Sequence, residues 1–227
     1  MQPLLILHGA IGAKDQFDAL VKQLENRFDV HALNFGGHGG APMPTSFSIQ
    51  GFATEVADYL TVNNLRSMHI FGYSMGGYVA LYLAKEQPQR IAKVFTLATK
   101  FHWTPETAAK EIRMLDPEIM LEKVPAFAKI LEKRHHPNDW KTVLSETAKM
   151  MVAMGDHNPL APGDFPSISV PVRISIGDKD AMVTPEETLA VYRKLPDASF
   201  MVFPETPHPI EKVSVTALAE ALDRFFS

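Results

Sequence analysis

Short, nearly unbroken apolar runs alternate along the chain with longer segments whose apolar residues recur at helical spacing. Pro3 to Leu7, Asp29 to Phe35, Met68 to Tyr73, Ala92 to Ala98, Val172 to Ile176 and Ser199 to Phe203 predict six strands, and runs with so few polar breaks suit strands covered on both faces. Between the first two, Lys14 to Arg27 carries Phe17, Leu20, Val21 and Leu24 on one face of a helix. Further helices are predicted over Ser48 to Asn63, from Tyr78 to Ala84, near Pro185 to Lys194 and over Ile210 to Phe226. Strands alternating with helices imply right-handed crossovers and a mainly parallel sheet, with reactive groups gathered at the carboxyl ends of the strands. The alternation stops over residues 100–168, where Pro105 to Leu115, Pro117 to Arg134 and Asn138 to Met154 read as helices without an intervening strand. This stretch is expected to be a helical cap inserted within a single domain that spans residues 1–227.

Composition narrows the class. At 227 residues and 46% hydrophobic content the chain can bury one sizeable core. Its 22 basic and 26 acidic residues give a formal charge of −4, which makes neither nucleic acid nor an acidic membrane an expected partner. Without cysteine there are no disulfides and no thiolate metal sites. No stretch reads as a signal peptide or as long enough to span a bilayer, so a soluble, cytoplasmic monomer or homodimer acting on a small molecule is expected.

The third strand carries the chemistry. It runs through Gly72-Tyr73-Ser74-Met75-Gly76-Gly77 straight into an apolar helix, which puts a hydroxyl on a sharp strand-to-helix turn and the first free N–H groups of the helix beside it. Serine is a poor nucleophile at neutral pH and needs a base, itself oriented by a third group. His208 follows the last strand, on the same sheet edge, and suits the base. Gly177-Asp178-Lys179-Asp180 follows the strand before it. Asp180, further from the strand end, is the expected acid, and Asp178 is expected to cap the turn. The order Ser74, Asp180, His208 is that of a nucleophile elbow on an α/β sheet. A tetrahedral intermediate needs two N–H donors, for which the backbone of Met75 and of Ala10, at the end of the first strand, are the candidates.

The other histidines have plainer expectations. His8, at the end of a buried strand, and His38, in a glycine-rich turn, are not expected to act chemically, and His69 is expected to be a satisfied core residue. His135, His136 and His157 are expected on a solvated cap surface, since no helical histidine pair or HExxH pattern suggests a metal site. The glycines around His38 match no phosphate-binding pattern.

These pieces, Leu7-His8-Gly9, Gly37-His38-Gly39, Gly72 to Gly77, Pro171 to Val183 and His208-Pro209-Ile210-Glu211, span nearly the whole chain, which resembles the small, capped, esterase- and lipase-like members of the α/β-hydrolase fold. The resemblance implies Ser74 as nucleophile, Asp180 as acid, His208 as base, Ala10 and Met75 as oxyanion donors, and no cofactor. A serine at the elbow argues against branches that carry an aspartate there. Relative to the family, the usual hairpin before the first strand is missing, which implies a sheet of six parallel strands. Glu205-Thr206-Pro207 stands where the family often has glycine. Ile11, Phe101, Trp103 and Met182 are expected to line the substrate pocket, with Lys100, His102 or Arg113 as alternatives for holding a substrate carboxylate. The implied activity is hydrolysis of a small to medium carboxylic ester or thioester through an acyl-enzyme. The rivals are carbon–carbon bond hydrolase, perhydrolase or lyase chemistry on the same residues, and a ligand-binding receptor with slow hydrolysis.

Overall fold

The computed structural model describes all residues, 1–227. Six strands, β1 (Gln2–Leu7), β2 (Phe28–Leu33), β3 (Met68–Tyr73), β4 (Ile91–Leu97), β5 (Val172–Gly177) and β6 (Ala198–Phe203), form one sheet in the order β2-β1-β3-β4-β5-β6. Every pairing is parallel. Nine α-helices accompany them: α1 (Asp18–Leu24), α2 (Ile49–Val62), α3 (Met75–Glu86), α4 (Pro105–Glu111), α5 (Pro117–Lys123), α6 (Pro125–His135), α7 (Trp140–Asp156), α8 (Pro185–Tyr192) and α9 (Val215–Phe226).

Alternate side chains of β1 enter two separate cores, which explains the unbroken apolar runs. Leu5 and Leu7 pack with Phe52 and Val56 of α2 and Val79 and Leu83 of α3, whereas Leu4 and Ile6 pack with Leu20 and Leu24 of α1 and Leu222 and Phe226 of α9. Each of these four β1 residues, buried to 1% exposure or less, contributes about 1.5–3 kcal/mol. The chain leaves β1 toward β2 on one side and returns to β3 on the other, with Leu7 opposite Gly72. At that reversal of strand order a crevice opens beyond the carboxyl ends of β1 and β3.

Helix ends are set by local chemistry. The Ser48, Thr104, Thr184 and Ser214 hydroxyls cap α2, α4, α8 and α9 by accepting a backbone N–H of the first turn. The helix expected over Lys14 to Arg27 is a 3₁₀ turn, Lys14–Phe17, followed by α1, and a 3₁₀ turn, Ile210–Lys212, likewise precedes α9. The single helix expected over Pro117 to Arg134 is two, because Val124, at φ −139°, ψ 55°, is held out of helical conformation before Pro125. Helices α4 to α7 form an insertion between β4 and β5. It is fastened to the loop after β2, where Asn138 Nδ2 donates to the carbonyls of Gly37 (3.0 Å) and Ala41 (2.7 Å). No helix is long and apolar enough to cross a membrane.

Candidate active site

Ser74 is the residue between β3 and α3, at φ 50° and ψ −117°. A non-glycine residue at positive φ costs about 1–2 kcal/mol and persists only when its surroundings hold it. Here the Ser74 N–H donates to Leu97 O at 2.8 Å, and its carbonyl accepts from Gly77 N at 3.0 Å and Thr99 Oγ1 at 3.0 Å. Flanking glycines make room for the turn. A Cβ on Gly72 would meet the backbone of Gly77, and one on Gly76 would meet the Leu7 carbonyl.

The loops after β5 and β6 are tied to each other. Asp178 N donates to Phe203 O (3.1 Å), Lys179 N to Thr206 O (3.1 Å), and Thr206 N to Asp178 Oδ1 (3.1 Å). Asp178 thus braces the neighbouring loop instead of capping its own turn. The Asp180 side chain is fully buried, and its Oδ2 accepts from His208 Nδ1 at 2.8 Å. Its Oδ1 accepts from Met182 N (2.8 Å) and Val183 N (2.9 Å). The imidazole therefore carries its proton on Nδ1, and Nε2 is left as an acceptor. Tyr73 donates its hydroxyl to the His208 carbonyl at 2.8 Å, and burial pushes that phenol well above its ordinary pKa. Glu205 adopts φ 52°, the left-handed conformation that glycine would take more cheaply at this point of the loop.

Across the crevice, the loop after β1 presents Ala10 with no hydrogen-bond acceptor for its N–H. Met75, the first residue of α3, has no intrahelical partner for its own. The residue after Ala10, Ile11, is at φ 52°, a costly conformation for a β-branched side chain. Its carbonyl is held from α6, accepting from Arg134 Nη1 at 3.3 Å and from His135 Nε2 at 3.1 Å. His135 is not on a solvated surface: it is 0% exposed. Gly39 N donates to its Nδ1 at 3.1 Å, so the ring is neutral with its proton on Nε2, and burial lowers its pKa to about 4. His8 follows the same logic. Phe35 N donates to its Nε2 (3.1 Å), its Nδ1 bonds Gly9 O (2.7 Å), and burial lowers its pKa to about 4. His38, its ring 5.1 Å from His8 and 5.6 Å from His135, is likewise held well below its ordinary pKa by burial. His69 bonds Gln2 through Nε2, but its Nδ1 has no partner, so it is only half satisfied.

Two cavities meet at Ser74. The larger, about 290 Å³, is lined by Ala10, Ile11, Met182 and His208 together with Met114, Leu115, Phe127 and Arg134. The smaller, about 40 Å³, is lined by Ala10, Ile49, Met75, Tyr78, Trp103 and Met154. Phe101 lines neither. It is buried in the core between Tyr78 and Phe165, stacked on the first at 6.1 Å and edge-on to the second at 5.8 Å. Of the cations considered for a substrate carboxylate, Lys100 is engaged by Glu111 (3.4 Å), Glu187 (3.7 Å) and the Met182 carbonyl (3.1 Å). His102 and Arg113 are exposed and outside both cavities. The cation that does face the larger cavity, Arg134, gave no signal in the sequence because its contacts lie 77 and 123 residues away. No group of three or more His, Asp or Glu side chains is arranged to hold a metal ion.

The sequence model of the α/β hydrolase fold matches residues 2–149. The chain belongs to the α/β-hydrolase fold family. Among curated proteins, this family member is 24% identical over 226 residues to a pimeloyl-[acyl-carrier protein] methyl ester esterase of Neisseria meningitidis, covering 92% of this chain and 71% of that protein. It is 23% identical over 238 residues to Lipase 3 of a Moraxella species, covering 95% and 75% respectively. Among solved structures it resembles an esterase from Thermogutta terrifontis with a TM-score of 0.79 and 22% identity, over 100% of this chain and 91% of the other. An enol-lactonase from Burkholderia xenovorans gives 0.79 at 18% identity, over 99% and 90%. At these identities the structural likeness is one of fold.

Proposed function

We propose that this α/β hydrolase is a cofactor-independent serine hydrolase that cleaves a carboxylic ester or thioester of small to medium size. In this reading Ser74 is the nucleophile, His208 the general base and Asp180 the acid that fixes its tautomer. Helices α4 to α7 act as a cap over the site. The observation that carries it is the convergence on one cavity of a strained serine, a histidine held by a buried carboxylate, and Ala10, whose N–H has no acceptor.

Each part has a chemical task. His208 Nε2 takes the Ser74 proton as Oγ attacks the carbonyl carbon, and the imidazolium is stabilised by Asp180 at 2.8 Å. The negative charge that develops on the carbonyl oxygen is received by the N–H groups of Ala10 and Met75, at the positive end of α3. His208 then protonates the leaving group, and a water repeats the sequence to release the acid. The relatives named as esterases and lipases favour ester cleavage among the reactions this fold hosts. Hydrolysis of p-nitrophenyl butyrate tests the reading: wild type should turn over, and Ser74→Ala should fall by on the order of 10⁴-fold or more with the fold intact. Equal rates in the two would place the chemistry elsewhere.

A further inference from the structure

The two cavities share Ser74, but His208 lines only the larger one, and that asymmetry assigns the two halves of an ester to opposite sides. The base that accepts the serine proton returns it to the leaving group, so the leaving oxygen must come within hydrogen-bond reach of His208. The alcohol half therefore occupies the cavity of about 290 Å³. The acyl chain points the other way, past Ala10 and Met75 into the cavity of about 40 Å³. At about 10–15 Å³ for each water-sized atom, that slot takes roughly three atoms, the alkyl part of a butyryl group.

The slot has one fixed side, and Lys100, Met150 and Met151 complete its lining. Tyr78, 1% exposed, is fixed by hydrogen bonds with Asn158 and with Leu160 N. Trp103 Nε1 donates to Lys100 O at 3.1 Å. Ile49 and Met154 are 1% and 4% exposed. The larger cavity is of a different character, mixing Met114 and Phe127 with Gln16, Glu211 and Arg134. Arg134 is 10% exposed, and its two contacts, with Ile11 O at 3.3 Å and Glu211 Oε1 at 3.4 Å, are long. Of its five N–H donors some are therefore left for an oxygen on the alcohol half.

We propose that the protein is selective for short acyl groups, acetyl to butyryl, on a bulkier alcohol that bears a further oxygen. This rests on the serine hydrolase reading above. Ser74 Oγ forms the bond to the acyl carbon as the carbon–oxygen bond to the alcohol breaks, and the serine proton leaves with the alcohol through His208. Water then cleaves the Ser74 ester, releasing a short carboxylic acid and regenerating the hydroxyl.

Hexyl acetate and ethyl hexanoate are isomers with comparable leaving groups, and their relative kcat/KM in wild type tests the assignment without any variant. Hexyl acetate should be favoured at least about tenfold, since the slot cannot take a five-carbon chain. Met154→Ala, which removes bulk from the slot's lining, should shift that ratio toward ethyl hexanoate by about tenfold. A preference for ethyl hexanoate in wild type, with turnover lost in Ser74→Ala, would overturn the chamber assignment alone. Absence of any ester turnover, or turnover independent of Ser74, would overturn the serine hydrolase reading and the selectivity with it.

Discussion

Replacing Asp180 by asparagine keeps the shape of the side chain and removes its charge. Asp180 Oδ1 accepts two backbone N–H groups, from Met182 at 2.8 Å and Val183 at 2.9 Å. An asparagine turned with its NH₂ toward them would leave two buried donors unpaired, at about 1–3 kcal/mol each. Its carbonyl must therefore keep that place, which aims the NH₂ at His208 Nδ1. The ring can then be neutral only with its proton on Nε2, where it has no lone pair to take the Ser74 proton. Loss of the orienting carboxylate by this route costs on the order of 10⁴-fold in kcat, about 5.4 kcal/mol of transition-state stabilisation. Steady-state hydrolysis of p-nitrophenyl butyrate should show that fall in kcat with KM nearly unchanged and a thermal melt close to wild type. Asp178→Asn, whose partner is the Thr206 N–H at 3.1 Å, should stay within about tenfold of wild type. Retention of kcat within tenfold by Asp180→Asn, or greater damage from Asp178→Asn, would refute the assignment.

His135→Leu removes a buried ring that bonds two backbone groups, leaving Gly39 N without its acceptor and Ile11 O with only its long contact to Arg134, and should lower stability by about 2–4 kcal/mol. A thermal melt should then fall by roughly 5–15 °C, and kcat should fall with it as Ile11 relaxes beside Ala10. Acid should destabilise the fold. Burial lowers His8 and His135 to about 4 in the folded state, against 6.5 when unfolded. The unfolded chain therefore binds more protons between those values, and stability present above pH 6.5 is lost as pH falls toward 4, by about 2 kcal/mol for each histidine at pH 5. Urea melts at pH 7 and pH 5 should show that loss, with a smaller one in His135→Leu; a flat profile would contradict the buried neutral tautomers. Tyr73→Phe removes the hydroxyl bonded to the His208 carbonyl and should cost about 1 kcal/mol of stability, visible as a lower melting temperature.

The inner strands are legible in the sequence because a strand buried on both faces has nowhere to place polar residues, as in Leu4 to Leu7, whereas the edge strands β2 and β6 are only partly buried and stand out by their apolar and β-branched residues alone. The break at Val124 is legible too, in the pre-proline restriction, but the helical spacing that continues through Pro125 hides it. Phe101 shows the limit of local inference. Leaving the carboxyl end of a strand near the site, it turns into the core because Tyr78 and Phe165 offer it a packed aromatic environment. The bonds that hold Ile11 come from Arg134 and His135, more than a hundred residues away. No spacing or motif records such a contact, so His135 looks like a surface histidine until the loop after β1 is folded against it.

Mass spectrometry of the protein quenched during turnover of p-nitrophenyl butyrate tests the central claim most directly. The account predicts a butyryl adduct on the peptide that contains Ser74, absent from Ser74→Ala. Sustained ester turnover by Ser74→Ala at the wild-type rate, with no adduct on that peptide in wild type, would contradict it.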